Sequence, residues 1–169
     1  SDHDGQSPES TAADYGSALD CYLTNSPITG VSTQLVAVGG SVDGNDFTLV
    51  NATNITLTLT NDATLTWAWS TNVWLSTDTN GPGSVDVTNQ WIALGSNVTI
   101  TASPADHYHF TGWSGDTSDC DIVANVITAA MSQTRAIVAN FAIDQHSLTI
   151  VSDHDGQSPE STAADYGSA

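Results

Sequence analysis

The sequence predicts an all-β protein of small modules set in tandem, two per 151-residue repeat, in an elongated array. Three observations carry that expectation. The eighteen residues SDHDGQSPESTAADYGSA occupy positions 1–18 and return unchanged at 152–169, a period of 151 (152 minus 1). Such identity is the signature of tandem duplication. A fainter repeat with an offset of 72 lies inside that unit: Ile55 meets Ile127, Leu57 meets Ala129, Leu59 meets Met131, Leu65 meets Ile137 and Trp69 meets Phe141. Finally, apolar residues alternate with Thr at period two through much of the chain, the pattern of half-buried strands.

The elements follow in order. The stretch 7–18 has a serine pair, Ser7 and Ser10, spaced like a helix cap, and admits a short helical turn. Ile55, Leu57 and Leu59 alternate with Thr56, Thr58 and Thr60, and after Asn61-Asp62 the residues Leu65, Trp67 and Trp69 alternate again. This predicts a hairpin with two aromatics on its inner face. Val98, Ile100 and Ala102 mark a strand that Pro104 ends, and 109–113 begins another. The segments 126–131 and 136–141 predict a closing hairpin, and 146–151 opens the next unit. The module boundaries are therefore expected at 1–71, 72–145 and 146–169. The opening strand of the first module is expected from the equivalent of 146–151, in the preceding unit of one long chain or, were the chain a separate filament subunit, from a neighbour by strand exchange.

Charge narrows the function. One Lys+Arg stands against 19 Asp+Glu, a formal net charge of −18. Such a chain cannot neutralise phosphates, which excludes nucleic acid as a partner, and anionic lipid surfaces repel it. With 39% hydrophobic residues in regular alternation, it is not a disordered acidic segment. No run of apolar residues is long enough to span a membrane as a helix. A Thr-, Asn-, Gly- and Asp-rich β-repeat almost without basic residues fits an extracellular or cell-surface location. Its partners are expected to be neighbouring copies of the same repeat, with surface glycans as a second class.

The chemistry-bearing residues are few. Asp2 and Asp4, repeated as Asp153 and Asp155, flank a histidine before a glycine, the start of a calcium loop whose remaining ligand positions are missing. Asp43-Gly44-Asn45-Asp46 and the trio Asp116, Asp119 and Asp121 are shorter versions of the same idea. Otherwise an Asp/Gly turn explains them. His107 and His109, two apart, are expected to share a strand face. Cys21 and Cys120 allow one disulfide per repeat, within a unit or between Cys120 and the next unit's Cys21. Two buried thiols are the alternative. Asn51, Asn54 and Asn97 head sequons. Of five tryptophans, Trp67, Trp69 and Trp113 read inward, leaving Trp74 and Trp91 as candidates for ligand contact. No nucleophile signature is present, so no catalytic residue is expected.

The second half also resembles a known family. Gly95-Ser96-Asn97-Val98-Thr99-Ile100-Thr101-Ala102, Phe110-Thr111-Gly112-Trp113-Ser114-Gly115, and Met131 with Ala139-Asn140-Phe141 are similar to the bacterial repeat domain called the divergent internalin-B-type repeat. The first half is a more divergent relative, with Tyr15-Gly16-Ser17 and Thr66-Trp67-Ala68-Trp69 but Val38-Gly39-Gly40 where the Gly-Trp pair would fall. The resemblance implies structural motif residues, tandem occurrence in large surface and secreted proteins, roles as spacer, stalk or adhesive array, and no catalytic site.

Overall fold

In a computed structural model, residues 6–7, 11–150, 161–165 and 167 are described. All of their regular structure is β: β1 (Gln6–Ser7), β2 (Ser17–Leu23), β3 (Ile28–Thr29), β4 (Thr33–Asp43), β5 (Phe47–Asn51), β6 (Asn54–Leu59), β7 (Thr64–Asn80) and β8 (Gly83–Val85). There follow β9 (Gln90–Ala93), β10 (Asn97–Pro104), β11 (Tyr108–Gly115), β12 (Cys120–Val123), β13 (Val126–Ala130), β14 (Arg135–Ile143), β15 (Gln145–Thr149) and β16 (Ser161–Asp165). Residues 11–14 are irregular and 15–16 form a turn, so no helical turn forms over the described part of 7–18. Among the described residues, no helix is long and apolar enough to cross a membrane.

The chain divides into two compact units, one of Ser1–Trp74 with Trp91–Gly95 and Ser132–Thr134, the other of Leu75–Gln90, Ser96–Met131 and Arg135–Ala169. In the first, one sheet has the order β1-β2-β6-β5. A second layer pairs β4 antiparallel with residues 64–73 of β7, with β3 on the far edge of β4. The two layers meet over Cys21 and Leu23 from β2, Ile55 and Leu57 from β6, Ala37 from β4 and Trp67 from β7. Alternation puts these side chains on one face while Thr56 and Thr58 turn outward, as period two requires.

The second unit repeats that wiring. One sheet is β12-β13-β10-β8. The other pairs β11 antiparallel with β14, whose opposite edge runs parallel to residues 75–80 of β7. Ile100, Ala102, Ile127, Ala129, Ile137 and Ala139 are almost wholly enclosed, with Phe141 8% exposed.

The two expected hairpins do not form. β6 pairs with β2 and β5, whereas the next strand, β7, pairs with β4. Likewise β13 pairs with β10 and β12, and β14 with β11. In each unit the short connection carries the chain from one layer to the other. Alternation fixes which face of a strand is apolar, and two successive inward-facing strands satisfy it equally well by facing each other across a core.

Candidate functional site

The two units carry equivalent outer faces. On the first, the row Thr48–Thr56–Asp20 runs across β5, β6 and β2. On the second, the corresponding row is Asp121–Thr128–Thr99 across β12, β13 and β10. Thr99 Oγ1 and Thr128 Oγ1 lie 3.1 Å apart in a hydrogen bond. A shallow open depression over the first face is lined by Ala18, Asp20, Asp46, Thr48, Thr56 and Thr58, among others. The adjacent rows, Cys21–Ile55–Leu49 in the first unit and Ile100–Ile127–Ile122 in the second, bury their first two members and leave Leu49 and Ile122 about half exposed at the edge. Cys21 thus stands where the other unit has isoleucine. Burial, and then the charge of neighbouring Asp20, push its thiol above the ordinary range.

The expected disulfide residues are both free thiols, Cys21 buried and Cys120 half-buried at the edge of β12. Cys120 Sγ lies 3.9 Å from the Asp116 carbonyl and 3.8 Å from that of Ser118. Those same carbonyls accept from the chain's one Arg+Lys side chain. Arg135 is 2% exposed and donates from Nη1 to Asp116 O (2.9 Å) and Ser118 O (2.8 Å), and from Nε to Ala130 O (3.0 Å). The Asp116 carboxylate accepts from the Ala136 amide at 2.9 Å. Sequence reasoning had counted Arg135 only as a charge. The signal was its position at the start of an alternating strand, where a long basic side chain among apolar neighbours has to find acceptors.

The first unit fastens the same loop with an amide. Asn45 Oδ1 accepts from Thr60 N (2.8 Å), Thr60 Oγ1 (2.7 Å) and Asn61 N (3.3 Å), while its Nδ2 donates to Asn61 O at 2.7 Å. Asn45 and Asp116 each follow a glycine of positive φ, Gly44 just past the end of β4 and Gly115 at the end of β11.

The metal candidates are not brought together. Asp2, Asp4, Asp153 and Asp155 lie outside the described residues. Among the described residues no three His, Cys, Asp or Glu side chains gather into a set that could hold a metal ion, and this includes the Asp43–Asp46 and Asp116–Asp121 stretches. His107 and His109 do not share a strand face: His107 sits in the turn before β11 with φ +69°, and only His109 is in the strand. His109 Nδ1 instead lies 2.9 Å from Asp144 Oδ1 on an exposed edge. Of the sequons, Asn51 and Asn97 are exposed and Asn54 is half-buried. Asn51 Oδ1 accepts from Thr53 N and Thr53 Oγ1 at 2.9 and 3.0 Å, closing the turn between β5 and β6.

Trp74 and Trp91 are both half-buried and meet each other, with centroids 5.1 Å apart in an edge-to-face contact. They form one aromatic pair in the first unit. Trp67 is core, 6% exposed, whereas Trp69 and Trp113 pack against the cores from half-buried positions.

No curated protein and no solved structure matches the chain. Residues 73–145 match the family model of the divergent InlB B-repeat domain, a span that includes the bulge between Phe110 and Gly112 and the β13 and β14 strands of the second unit.

Proposed function

We propose that this chain is a structural element of a bacterial surface or secreted repeat protein, its β modules joined in tandem as a stalk, fibre or adhesin shaft. The observation that carries this is the unchanged recurrence of residues 1–18 at 152–169, alongside the B-repeat match over 73–145. Its action is mechanical. Small modules, each with its own two-layer core, hold a distal partner at a distance from the cell, and a net charge of −18 keeps neighbouring shafts apart. Divalent cations would bridge such acidic surfaces where they meet.

Electron microscopy of the native material, with and without a calcium chelator, tests this reading. Filaments with an axial repeat of one two-module unit are expected, and loss of stiffness in chelator would add the cation bridge. Dispersed single particles would refute the shaft. They would favour a second reading, a surface-glycan module, whose support is the Trp74–Trp91 pair: aromatic faces at half-exposed positions stack on sugar rings. Glycan-array binding lost on Trp91→Ala would establish that alternative.

A further inference from the structure

The sequence holds a single Asn-Gly pair, Asn80-Gly81, where Asn80 ends β7 and Gly81 begins the short link to β8. An asparagine amide is open to attack by the backbone nitrogen of the residue after it, and glycine, with no Cβ, leaves that nitrogen least shielded. The fold demands glycine at this point. Gly81 has φ +96°, and a Cβ on it would stand 2.6 Å from the Phe141 carbonyl oxygen. Both residues of the pair are exposed, so water reaches them.

The surroundings make the amide at 80 matter. Asn80 Nδ2 donates to Asn140 Oδ1 at 3.1 Å, across the parallel seam of β7 and β14. Asn140 is not free to turn its amide round. Its own Nδ2 donates to Gly112 O at 3.1 Å, a group that only accepts, and to Ser114 Oγ at 2.9 Å. Asn140 therefore presents an oxygen to whatever side chain stands at 80. Past Gly81 the chain lies tightly over Phe141: a side chain at Gly83 would enter its ring, and Val85 packs on the same core cluster.

We propose that Asn80-Gly81 is a self-modifying site, where the asparagine amide becomes an acid without an enzyme and the product loosens β8 from the core of the second unit. The Gly81 nitrogen gives its proton to solvent base and attacks Asn80 Cγ. The new N–Cγ bond replaces the Cγ–Nδ2 bond, and Nδ2 leaves as ammonia, closing a cyclic imide. Water then opens the ring at either carbonyl. Cleavage of N–Cγ returns the original main chain with aspartate at 80. Cleavage at the main-chain carbonyl leaves an isoaspartyl link, one carbon longer. Aspartate sets an ionised carboxylate against Asn140 Oδ1 in place of a donor, and the two repel. The isoaspartyl link pushes Gly81 along a path that its contact with Phe141 leaves no room for. The change is slow and needs only water, so it marks the age of the module.

Peptide mass spectrometry of the full chain, incubated folded for weeks at neutral and at mildly alkaline pH, tests the site. The peptide holding Asn80 is expected to gain the mass of an amide turned acid before any other asparagine peptide, and sooner at the higher pH. It should also divide into separately eluting aspartyl and isoaspartyl forms. Asn80→Gln, whose longer side chain does not close the five-membered ring, should keep its mass. Hydrogen exchange reads the consequence. The aged chain, and Asn80→Asp made directly, are expected to lose protection at Gly83–Val85 while Val126–Ala130 keeps its own. If Asn80 stays an amide in the folded chain and converts only in urea, the fold shields the pair and the site is overturned. If the amide converts but protection at Gly83–Val85 is unchanged in the aged chain, the loosening is overturned.

Discussion

The two units solve one packing problem in opposite ways. Both break the ladder of the second layer with a bulge, between Ala37 and Gly39 in β4 and between Phe110 and Gly112 in β11. Matching the bulges aligns Gly39-Gly40 with Gly112-Trp113, and matching the last strands aligns Trp67 with Ala139. Opposite each other across the ladder stand Gly40 and Trp67 in the first unit, Trp113 and Ala139 in the second. One large ring and one minimal residue fill the same place, but the ring comes from the other strand. A Cβ on Gly40 would sit 2.9 Å from the Thr66 carbonyl oxygen, 3.0 Å from Ile55 Cδ1 and 3.2 Å from the Trp67 ring, so the space a side chain would need is already taken. The lesson is that the pair, rather than either position, is what the fold requires.

Removing the ring is the strongest way to break this symmetry. Trp67→Ala is expected to cost about 3–5 kcal/mol, because a nearly enclosed ring leaves a cavity. Trp113→Ala costs less, since that ring already meets solvent in part. Calorimetric melts of the two variants measure the difference. Equal losses would show that the swap is not a reciprocal packing solution. A sharper version uses Gly40→Ala, which is destabilising beside an intact Trp67 and less so in the Trp67→Ala background, where the Thr66 carbonyl, 2.9 Å from the added Cβ, still crowds it. The coupling in that double-mutant cycle isolates the pair.

The loop fastenings give the next effect. Arg135→Met keeps the aliphatic stem but withdraws the donors from three carbonyls, and is expected to cost about 2–3 kcal/mol. Arg135→Lys recovers little of it, for an ammonium cannot reproduce the fork that reaches Asp116 O, Ser118 O and Ala130 O together. Asn45→Ala in the first unit costs about 1 kcal/mol, the scale of neutral hydrogen bonds beside solvent. Denaturant melts rank the three. If Arg135→Met were as mild as Asn45→Ala, the guanidinium would not be the fastening of its loop.

These contrasts also explain what could be read in advance. Period two identified the strands and their inward residues: Ile55 and Leu57 in β6, Ile127 and Ala129 in β13, Ile137 and Ala139 in β14 are all buried where the alternation put them. It could not name partners, because facing across a core and pairing along a hairpin impose the same alternation. In the sequence Val38-Gly39-Gly40 falls where the second unit has its Gly-Trp pair, and no tryptophan stands there. The ring had crossed to the neighbouring strand, which linear comparison cannot see. His107 left the strand for the same kind of reason: a left-handed residue in the turn after Ala105 shifts the start of β11, and no count of spacing foretells it. The Trp74–Trp91 contact joins residues far apart in sequence and became visible only with the chain folded.

The smallest expected effect concerns the two thiols, which sit at different depths in their units. Cys21 holds an isoleucine's place and its thiol is pushed above the ordinary range, first by burial and then by Asp20. A raised thiol pKa means the folded chain keeps a proton that the unfolded chain gives up. The associated stability is therefore intact below the ordinary thiol range, near pH 8.5, and declines as pH rises from there through the folded value. Cys21→Ser should flatten the alkaline limb of the stability profile. Iodoacetamide at pH 8 should label Cys120 first and reach Cys21 only as the first unit opens, since the reactive species is an accessible thiolate. Matched labelling rates would mean that the β2 row is not closed over Cys21. That would remove the equivalence of Cys21 with Ile100, on which the alignment of the two cores rests.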